Sequence, residues 1–438
     1  MTDDENKGSA LPELLTSLPG PRSVTEVDVL ARHESPGVTA RRSRAGESRG
    51  IGSDPIVWNR AVGANVWDVD GNRFVDLTGA FGVAMIGHSH PDVISAIETQ
   101  SGQLIHGMGD VFPNDKRIKL MRTIAEMAPD GLTQSILTSS GSEAVEAALK
   151  TACLASGKPG VLGFWGAYHG LSYGALAATA YKADFRAPFQ GQLGGHVTHL
   201  PFGTEPEILE ALLGGVATGG EAIGAILVEP IQGRGGVVVP PAGWLRALRD
   251  IATRHNLVLV FDEIYTGLGR TGKWWAGDHD GVVPDLLVLG KALGGGLPIG
   301  CCIGRPETMA AWGQSQGEAI HTSTFLGNPL VASASVAALE VMRRLDIPSV
   351  ARDFEARIRT RFGQCVRGRG GMLGIEVPSG TEAAQITGAM LKRGYIVLPS
   401  GVDGNVIGLT PPLVLSKAQE EGAMNALEHC LNAPSCGE

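Results

Sequence analysis

A lysine in a glycine-rich turn is the residue of this 438-residue sequence whose surroundings most strongly suggest chemistry. Lys291 follows the apolar run 285–289 and lies in the segment 290–300, which is rich in glycine. A lysine buried at the end of a strand has a lowered pKa, because desolvation disfavours its charged form. The neutral amine is a nucleophile that can form a Schiff base with a carbonyl group. The alternative is a surface lysine on an exposed turn.

The second chemical feature is a pair of acids, Asp262 and Glu263, that ends the apolar run 257–261. Continuous apolar runs are typical of parallel strands covered on both faces, and ligands bind at the carboxyl ends of such strands. We therefore expect Asp262 and Lys291 at one edge of a sheet. A carboxylate that keeps a pyridine nitrogen protonated, beside a lysine that forms an imine, is a protein's contribution to pyridoxal phosphate chemistry. A helix N-cap or a surface acid is the alternative for Asp262.

A phosphate anchor is the third feature. The segment 134–138 predicts a strand, 139–142 is a small polar turn, and 143–152 predicts a helix. This order places free backbone N–H groups and the positive end of the helix dipole where a phosphate can bind. Ser142 followed by acids is equally an ordinary helix N-cap.

Taken together, the ordered motifs resemble those of the class III pyridoxal-phosphate aminotransferases, the group of the ornithine, acetylornithine and 4-aminobutyrate enzymes. The resemblance covers roughly residues 55 to 430. The segments that carry it are 67–72, 87–91, 139–144, 166–170, 228–233, 262–272, 290–293 and 323–329.

The resemblance implies the catalytic roles. Lys291 would hold the cofactor as a Schiff base and then move the proton between substrate carbon and cofactor. Asp262 would pair with the pyridine nitrogen. Gly141 and Ser142 would bind the phosphate, and Tyr168 would stack on the ring, as suits an aromatic face.

The same resemblance implies further cofactor contacts and a shared site. Gln232 would lie near the phenolic oxygen of the ring, and His169 and Glu229 belong to the cofactor-binding set. Thr324 would reach the phosphate held by the neighbouring subunit, which implies a homodimer with shared active sites.

Departures from the family pattern concern the substrate. Ornithine-type members carry an acid where this chain has Arg234, and arginines where it has Gly408 and Leu171. The acid and the arginine replaced by Gly408 normally form a gated salt bridge, so an ornithine-like substrate is not expected. We expect Arg234 to bind the carboxylate of the amino acceptor or of an acidic substrate, because the guanidinium fork recognises carboxylates and not amines. The alternative is that Arg234 points to solvent or caps a helix.

Phe81 occupies the place of a substrate-facing aromatic residue in the family. Plain core packing is the alternative for this side chain.

The predicted reaction is transfer of an amino group from a primary amine or amino acid, with ω-amines favoured, to a 2-oxo acid by a ping-pong mechanism. The alternatives on the same scaffold are an aminomutase, a racemase or a decarboxylase, because the cofactor supplies the electron sink for all of them. A remote alternative is a nucleotide-binding oxidoreductase, since 267–272 matches G-x-G-x-x-G after a strand. That pattern requires a helix next, and 273–281 is a poor helix start.

Composition restricts the class of protein. Hydrophobic residues make up 43% and charged residues 18%, as in a soluble globular protein. A net charge of −9 argues against a nucleic-acid partner, which requires a basic face. No metal-ligand cluster, secretory signal or long apolar run is evident, so we expect no metal, no membrane span and a cytoplasmic location.

The expected fold is α/β, and the resemblance makes it a fold type I pyridoxal-phosphate enzyme. We predict an N-terminal segment with part of the small domain (1–78), a large cofactor-binding domain with a doubly wound, mostly parallel sheet (79–328), and a C-terminal part (329–438). The small α+β domain would be built from both termini. Predicted strands include 160–164, 222–228, 257–261 and 285–289, and a long helix is expected over 329–345.

Overall fold

The computed structural model describes residues 3–48, 50, 55–214, 223–314 and 317–432. The chain divides into two compact units. The first comprises Met1–His90, Ile358–Arg367 and Leu373–Glu438, and the second comprises Pro91–Arg357 and Gly368–Met372. The domain boundaries at 78 and 328 stay a prediction. Within the described residues, no helix has both the length and the apolar character needed to cross a membrane.

The described residues of the N-terminal part of the first unit form the helices α1 (Asp3–Lys7), α2 (Pro21–His33), α3 (Pro36–Ser48) and α4 (Gly79–Gly82) and the strands β1 (Trp58–Val62), β2 (Asn65–Asp68) and β3 (Arg73–Asp76). The strands β2 and β3 form a hairpin through Gly71, whose φ of 89° requires a residue without a side chain.

The second unit alternates helices and strands. Its helices are α5 (Pro91–Ser101), α6 (Asp115–Met127), α7 (Gly141–Ser156), α8 (Tyr173–Ala178), α9 (Ala183–Arg186), α10 (Pro206–Gly214), α11 (Trp244–Arg254), α12 (Pro306–Met309) and α13 (Pro329–Arg344). Its strands are β4 (Gln134–Thr138), β5 (Gly160–Phe164), β6 (Val197–Leu200), β7 (Ile223–Val228), β8 (Val258–Asp262), β9 (Leu286–Leu289) and β10 (Gly300–Gly304). The predicted strands and the long helix therefore exist, with ends that differ by a residue or two; residue 222 lies outside the described residues.

The C-terminal part of the chain begins within α14 (Ile347–Phe362), where the division between the units falls. It continues with β11 (Val366–Arg369), β12 (Met372–Glu376), α15 (Gly380–Leu391), β13 (Tyr395–Ile396), β14 (Leu398–Ser400), β15 (Val406–Leu409) and α16 (Lys417–Asn432). In the first unit, β13 joins the sheet β1–β2–β3–β13, so both termini contribute to one small sheet, as predicted.

The sheet of the second unit has seven strands in the order β4–β10–β9–β8–β7–β5–β6. All pairs are parallel except those of β10, which runs antiparallel to both β9 and β4. The strands β5, β8, β9 and β10 are buried along their whole length, because helices cover such a sheet. The mostly parallel α/β sheet was predicted correctly from the apolar runs.

The helix α7 carries much of the core of the second unit. Its alanine-rich face packs on the strands, with Ala147 and Ala148 fully buried beside Leu227 and Val260. On α11, the buried positions Trp244, Leu248 and Ile251 recur at helical spacing and form one apolar face. These helices fix the strands whose ends carry the candidate site.

Candidate active site

The carboxyl ends of five parallel strands meet at one edge of the seven-stranded sheet. The strands β4, β5, β7 and β9 are followed there by the segments 139–142, 165–170, 229–234 and 290–291, and Asp262 is the last residue of β8. This is the edge where ligands bind in open α/β sheets.

Lys291 follows β9 directly and adopts an unusual backbone conformation. Its φ is 41°, a left-handed value that is costly for a residue with a Cβ and that concentrates at functional sites. The side chain is half-buried. Burial lowers the pKa of the Lys291 amine, and the charge of Arg234 acts in the same direction, while the carboxylates of Asp262 and Glu229 oppose the shift. The structure thus brings these four groups together and favours a nucleophilic amine.

Asp262 is buried and forms a pair with a histidine. Its Oδ2 lies 2.8 Å from Nδ1 of His169, and its Oδ1 accepts a hydrogen bond of 3.1 Å from the backbone N–H of Ile264. Burial by itself would lower the pKa of His169, but the hydrogen bond to Asp262 and the charges of Asp262 and Glu229 outweigh it and raise the pKa. The buried pair therefore favours the charged form of the His169 imidazole.

Glu229 connects two loops at the strand ends. Its two carboxylate oxygens accept hydrogen bonds from the backbone N–H groups of Tyr168 (2.8 Å) and Gly233 (3.0 Å). Burial raises the pKa of Glu229, and the charge of His169 opposes that shift. Gln232 adds a second connection, because its Nε2 donates to the backbone carbonyl of Trp165 at 2.8 Å. Both side chains are engaged by protein atoms.

The N-terminus of α7 forms the small polar turn. The helix begins at Gly141, and Ser140 is its N-cap, because Oγ of Ser140 accepts a hydrogen bond of 3.2 Å from the backbone N–H of Glu143. The predicted helix start at 143 and the alternative of an N-cap at Ser142 are therefore wrong. Ser142 instead lies 2.6 Å from the hydroxyl of Ser172 and accepts from its N–H at 3.0 Å. Among the described residues, the N–H groups of Gly141 and Ser142 have no hydrogen-bond acceptor.

Aromatic rings surround the guanidinium of Arg234. Its Cζ lies 4.5 Å from the ring centroid of Tyr168, 5.2 Å from that of Tyr181 and 5.4 Å from that of Phe185. We call these three rings the aromatic collar. Within the described part of the chain, Arg234 forms no ion pair and caps no helix. Sequence reasoning missed Tyr181 and Phe185; the only signal was two aromatic residues four positions apart near a short helix.

Tyr265 also belongs to this site and was not assigned a role from the sequence. Its ring centroid lies 4.5 Å from Nζ of Lys291. The available signal was its position three residues after Asp262, just beyond the end of β8.

Two further predicted site residues, Thr324 and Phe81, have exposed side chains. The side chain of Thr324 is exposed on the turn before α13. Phe81 belongs to the first unit, on the turn α4, where its φ is 62° and its ring is 65% exposed, so the core-packing alternative is wrong.

The glycine-rich segment 267–272 does not form a nucleotide-binding turn. Turns and a short 3₁₀ helix, Ala276–His279, follow it instead of the α-helix that a dinucleotide site requires. A Cβ added to Gly269 would lie 2.7 Å from Ile347, so this glycine serves close packing. The oxidoreductase alternative is therefore wrong.

Comparisons with known proteins agree with this geometry. The family model of the class III aminotransferases matches residues 48–431. The acetylornithine aminotransferase of Methanopyrus kandleri is 37% identical over 386 residues, which cover 86% of this chain and 95% of that protein.

Solved structures give the same result. The ornithine aminotransferase of Toxoplasma gondii ME49 has a TM-score of 0.79 at 31% identity, covering 86% of this chain and 90% of that one. An amine transaminase from an uncultivated Pseudomonas species, in its pyridoxal-phosphate-bound form, has a TM-score of 0.79 at 28% identity, covering 88% and 96%. This chain therefore belongs to the class III aminotransferase family and is a pyridoxal-phosphate-dependent transaminase.

Proposed function

We propose that the residues at the strand ends carry a ping-pong transamination in which Lys291 is the reacting amine. The observation that carries this proposal is the Lys291 amine with its lowered pKa at the same sheet edge as the buried Asp262–His169 pair. A neutral amine both attacks a carbonyl and accepts a proton.

The residues fit pyridoxal phosphate by the chemistry of their donors. Gly141 and Ser142 offer unengaged N–H groups at the N-terminus of a 16-residue helix, which suits a phosphate. The carboxylate of Asp262, which pairs with His169, suits a protonated pyridine nitrogen, and the face of Tyr168 suits a flat ring. When bound, the cofactor supplies an electron sink next to the carbon that loses its proton.

His169, Glu229 and Gln232 then act through other residues. His169 positions the Asp262 carboxylate through their 2.8 Å contact, and Glu229 fixes the backbone at Tyr168 and Gly233. The side chain of Gln232 fixes the turn at Trp165 through its hydrogen bond to the backbone carbonyl. We also propose that Gln232 lies near the phenolic oxygen of the bound cofactor.

We assign carboxylate recognition to Arg234. Its stacked guanidinium has no acidic partner among the described residues, and its positive charge helps to lower the pKa of the Lys291 amine. Stacking leaves the N–H edges of the guanidinium open to a carboxylate. The substrate class is thus an amine donor together with a 2-oxo acid acceptor, with the acceptor carboxylate on Arg234. Phe81 is proposed to contact the substrate, and the cytoplasmic location remains a prediction.

A homodimer is supported by an exposed apolar surface on the second unit. Ile105, Met108, Phe112 and Phe325 are between 57% and 68% exposed. The segments that carry them contact each other, since the rings of His106 and Phe325 lie 5.2 Å apart. Large exposed apolar patches mark protein interfaces. Thr324 is the chain neighbour of Phe325, which supports the proposal that it serves the partner's site.

Reduction with borohydride tests the role of Lys291. It should fix the cofactor on the peptide that contains Lys291, as measured by mass spectrometry. The Lys291→Ala variant should bind cofactor without this attachment and should lose at least about 10³-fold in turnover, since it lacks the general base. Attachment at another lysine, or wild-type turnover in Lys291→Ala, would contradict the proposal.

A further inference from the structure

The ring of Tyr265 occupies a fixed position beneath the Lys291 amine. The distance from Nζ to the ring centroid is 4.5 Å, within the range of a cation–π contact. The ring packs with Ile231, Val237 and Met372. A Cβ added at Gly233 would lie 2.4 Å from Cδ1 of Tyr265, so the glycine at this position admits the ring. Packing thus holds the aromatic face where it can contact the amine.

The charged groups around Lys291 make this contact significant. Asp262 and Glu229 favour the ammonium form, whereas burial and the charge of Arg234 disfavour it. The negative face of an aromatic ring also favours the ammonium form. Unlike another carboxylate, the ring does so without offering an acceptor that would take the proton from the amine.

We propose that Tyr265 is a positioning residue for Lys291: the face of the tyrosine ring binds the ammonium form of the lysine and directs its Nζ. The inference rests on the proposed function, in which Lys291 alternately accepts and gives up a proton. With the ring in place, the Lys291 amine keeps an accepted proton long enough to deliver it.

The experiment measures the titration of Lys291 directly. Full-length protein freed of cofactor is labelled with acetic anhydride across a pH series, and mass spectrometry of the Lys291 peptide gives the pH midpoint of acetylation. Tyr265→Leu should lower this midpoint by about 0.5 to 1 pH unit, because the cation loses its aromatic partner. The matched control, Tyr265→Phe, keeps the ring face and should keep the wild-type midpoint.

Other results would overturn the inference. An unchanged midpoint in Tyr265→Leu would show that the ring does not stabilise the ammonium form, and an equal drop in both variants would assign the effect to the hydroxyl. If Tyr265 had a purely structural role, Tyr265→Leu would lower the melting temperature without changing the pH midpoint of Lys291 acetylation, which would also overturn the inference. If Tyr265→Leu does not fold, Tyr265→Met fills the space and is subject to the same expectations.

The two proposals fail separately. Borohydride attachment at another lysine would refute the proposed role of Lys291 in the loaded enzyme. The acetylation midpoint is measured without cofactor and would still decide whether Tyr265 binds the lysine cation.

Discussion

Replacing Arg234 should separate recognition of the 2-oxo acid from the chemistry at Lys291. The variants are Arg234→Gln, which removes the charge, and Arg234→Lys, which keeps it. In the structure the guanidinium stacks within 5.4 Å of all three ring centroids of the aromatic collar, at Tyr168, Tyr181 and Phe185. The collar holds the guanidinium in one orientation, so a bound carboxylate would meet a prepared partner.

The magnitude follows from the type of interaction. Hydrogen bonds to a charged group contribute about 1.5–3 kcal/mol, which corresponds to about a 10- to 150-fold rise in the KM of the 2-oxo acid for Arg234→Gln. The effect on kcat should be small, because binding of an unreactive carboxylate is uniform between ground state and transition state. Arg234→Lys should recover only part of the loss, since an ammonium lacks the bidentate fork.

A second consequence concerns pH. The charge of Arg234 helps to lower the pKa of Lys291. Its removal favours the ammonium form, so the pKa of the lysine rises. Activity that requires the neutral amine should therefore begin at a higher pH in Arg234→Gln than in Arg234→Lys.

The assay follows the two half-reactions separately by the visible absorption of the cofactor. An amine donor without a carboxylate should react with the Arg234→Gln variant at nearly the wild-type concentration dependence, whereas the 2-oxo acid half-reaction should require much higher concentrations. An unchanged KM for every 2-oxo acid tested, or an equal loss in both half-reactions, would refute carboxylate binding by Arg234.

Three further predictions concern stability and assembly. Ser140→Ala removes the N-cap of α7 and should cost about 1 kcal/mol, seen as a melting temperature lower by about 2 °C; an unchanged value would mean that the cap contributes nothing. Burial lowers the pKa of His199 from 6.5 to about 4, so the stability that the neutral imidazole confers is present above pH 6.5 and is lost as the pH falls towards 4, by at most about 3 kcal/mol. In denaturant titrations, His199→Gln should therefore reduce the loss of unfolding free energy between pH 6.5 and 4. An equally large loss in the variant would contradict the assignment. Phe112→Glu should yield monomers in analytical ultracentrifugation, while the control Ile208→Glu, on exposed α10, should not; dimers in both would place the interface elsewhere.

The groups proposed to react could be predicted from the sequence because their signals are local. An apolar run that ends in an acid or a lysine predicts both a buried strand and the place where its last side chain emerges. Asp262 and Lys291 were predicted in this way to lie at one edge of the sheet, and the parallel pairing of β8 and β9 places them there. The predicted start of α7 differs from the observed start by two residues. Any of the three serines in the preceding turn could be the N-cap, and the sequence alone does not show which one is.

The surroundings of those groups depend on contacts between distant segments. His169 pairs with Asp262 across 93 residues, and Glu229 holds the backbone of Tyr168 across 61. No local pattern reports such pairs, because each partner looks like an ordinary polar residue in its own segment. The motif resemblance pointed to these residues as members of a site but not to the atoms that each one contacts.

The residues proposed for the reaction and those proposed for substrate choice also differ in where they lie in the fold. Lys291, Asp262 and the N-terminus of α7 lie directly at strand ends, where the sheet fixes their positions, and we propose that these groups serve the chemistry of the cofactor. Arg234 and its aromatic collar lie on loops beyond those ends, where a change of residue leaves the sheet intact. We therefore expect the arginine at position 234, where ornithine-type members carry an acid, to change which substrate charge is bound without disturbing Lys291 or Asp262. Substrate choice in this enzyme should therefore be changed by substitutions at Arg234, Tyr181 and Phe185, with the attachment of cofactor to Lys291 retained.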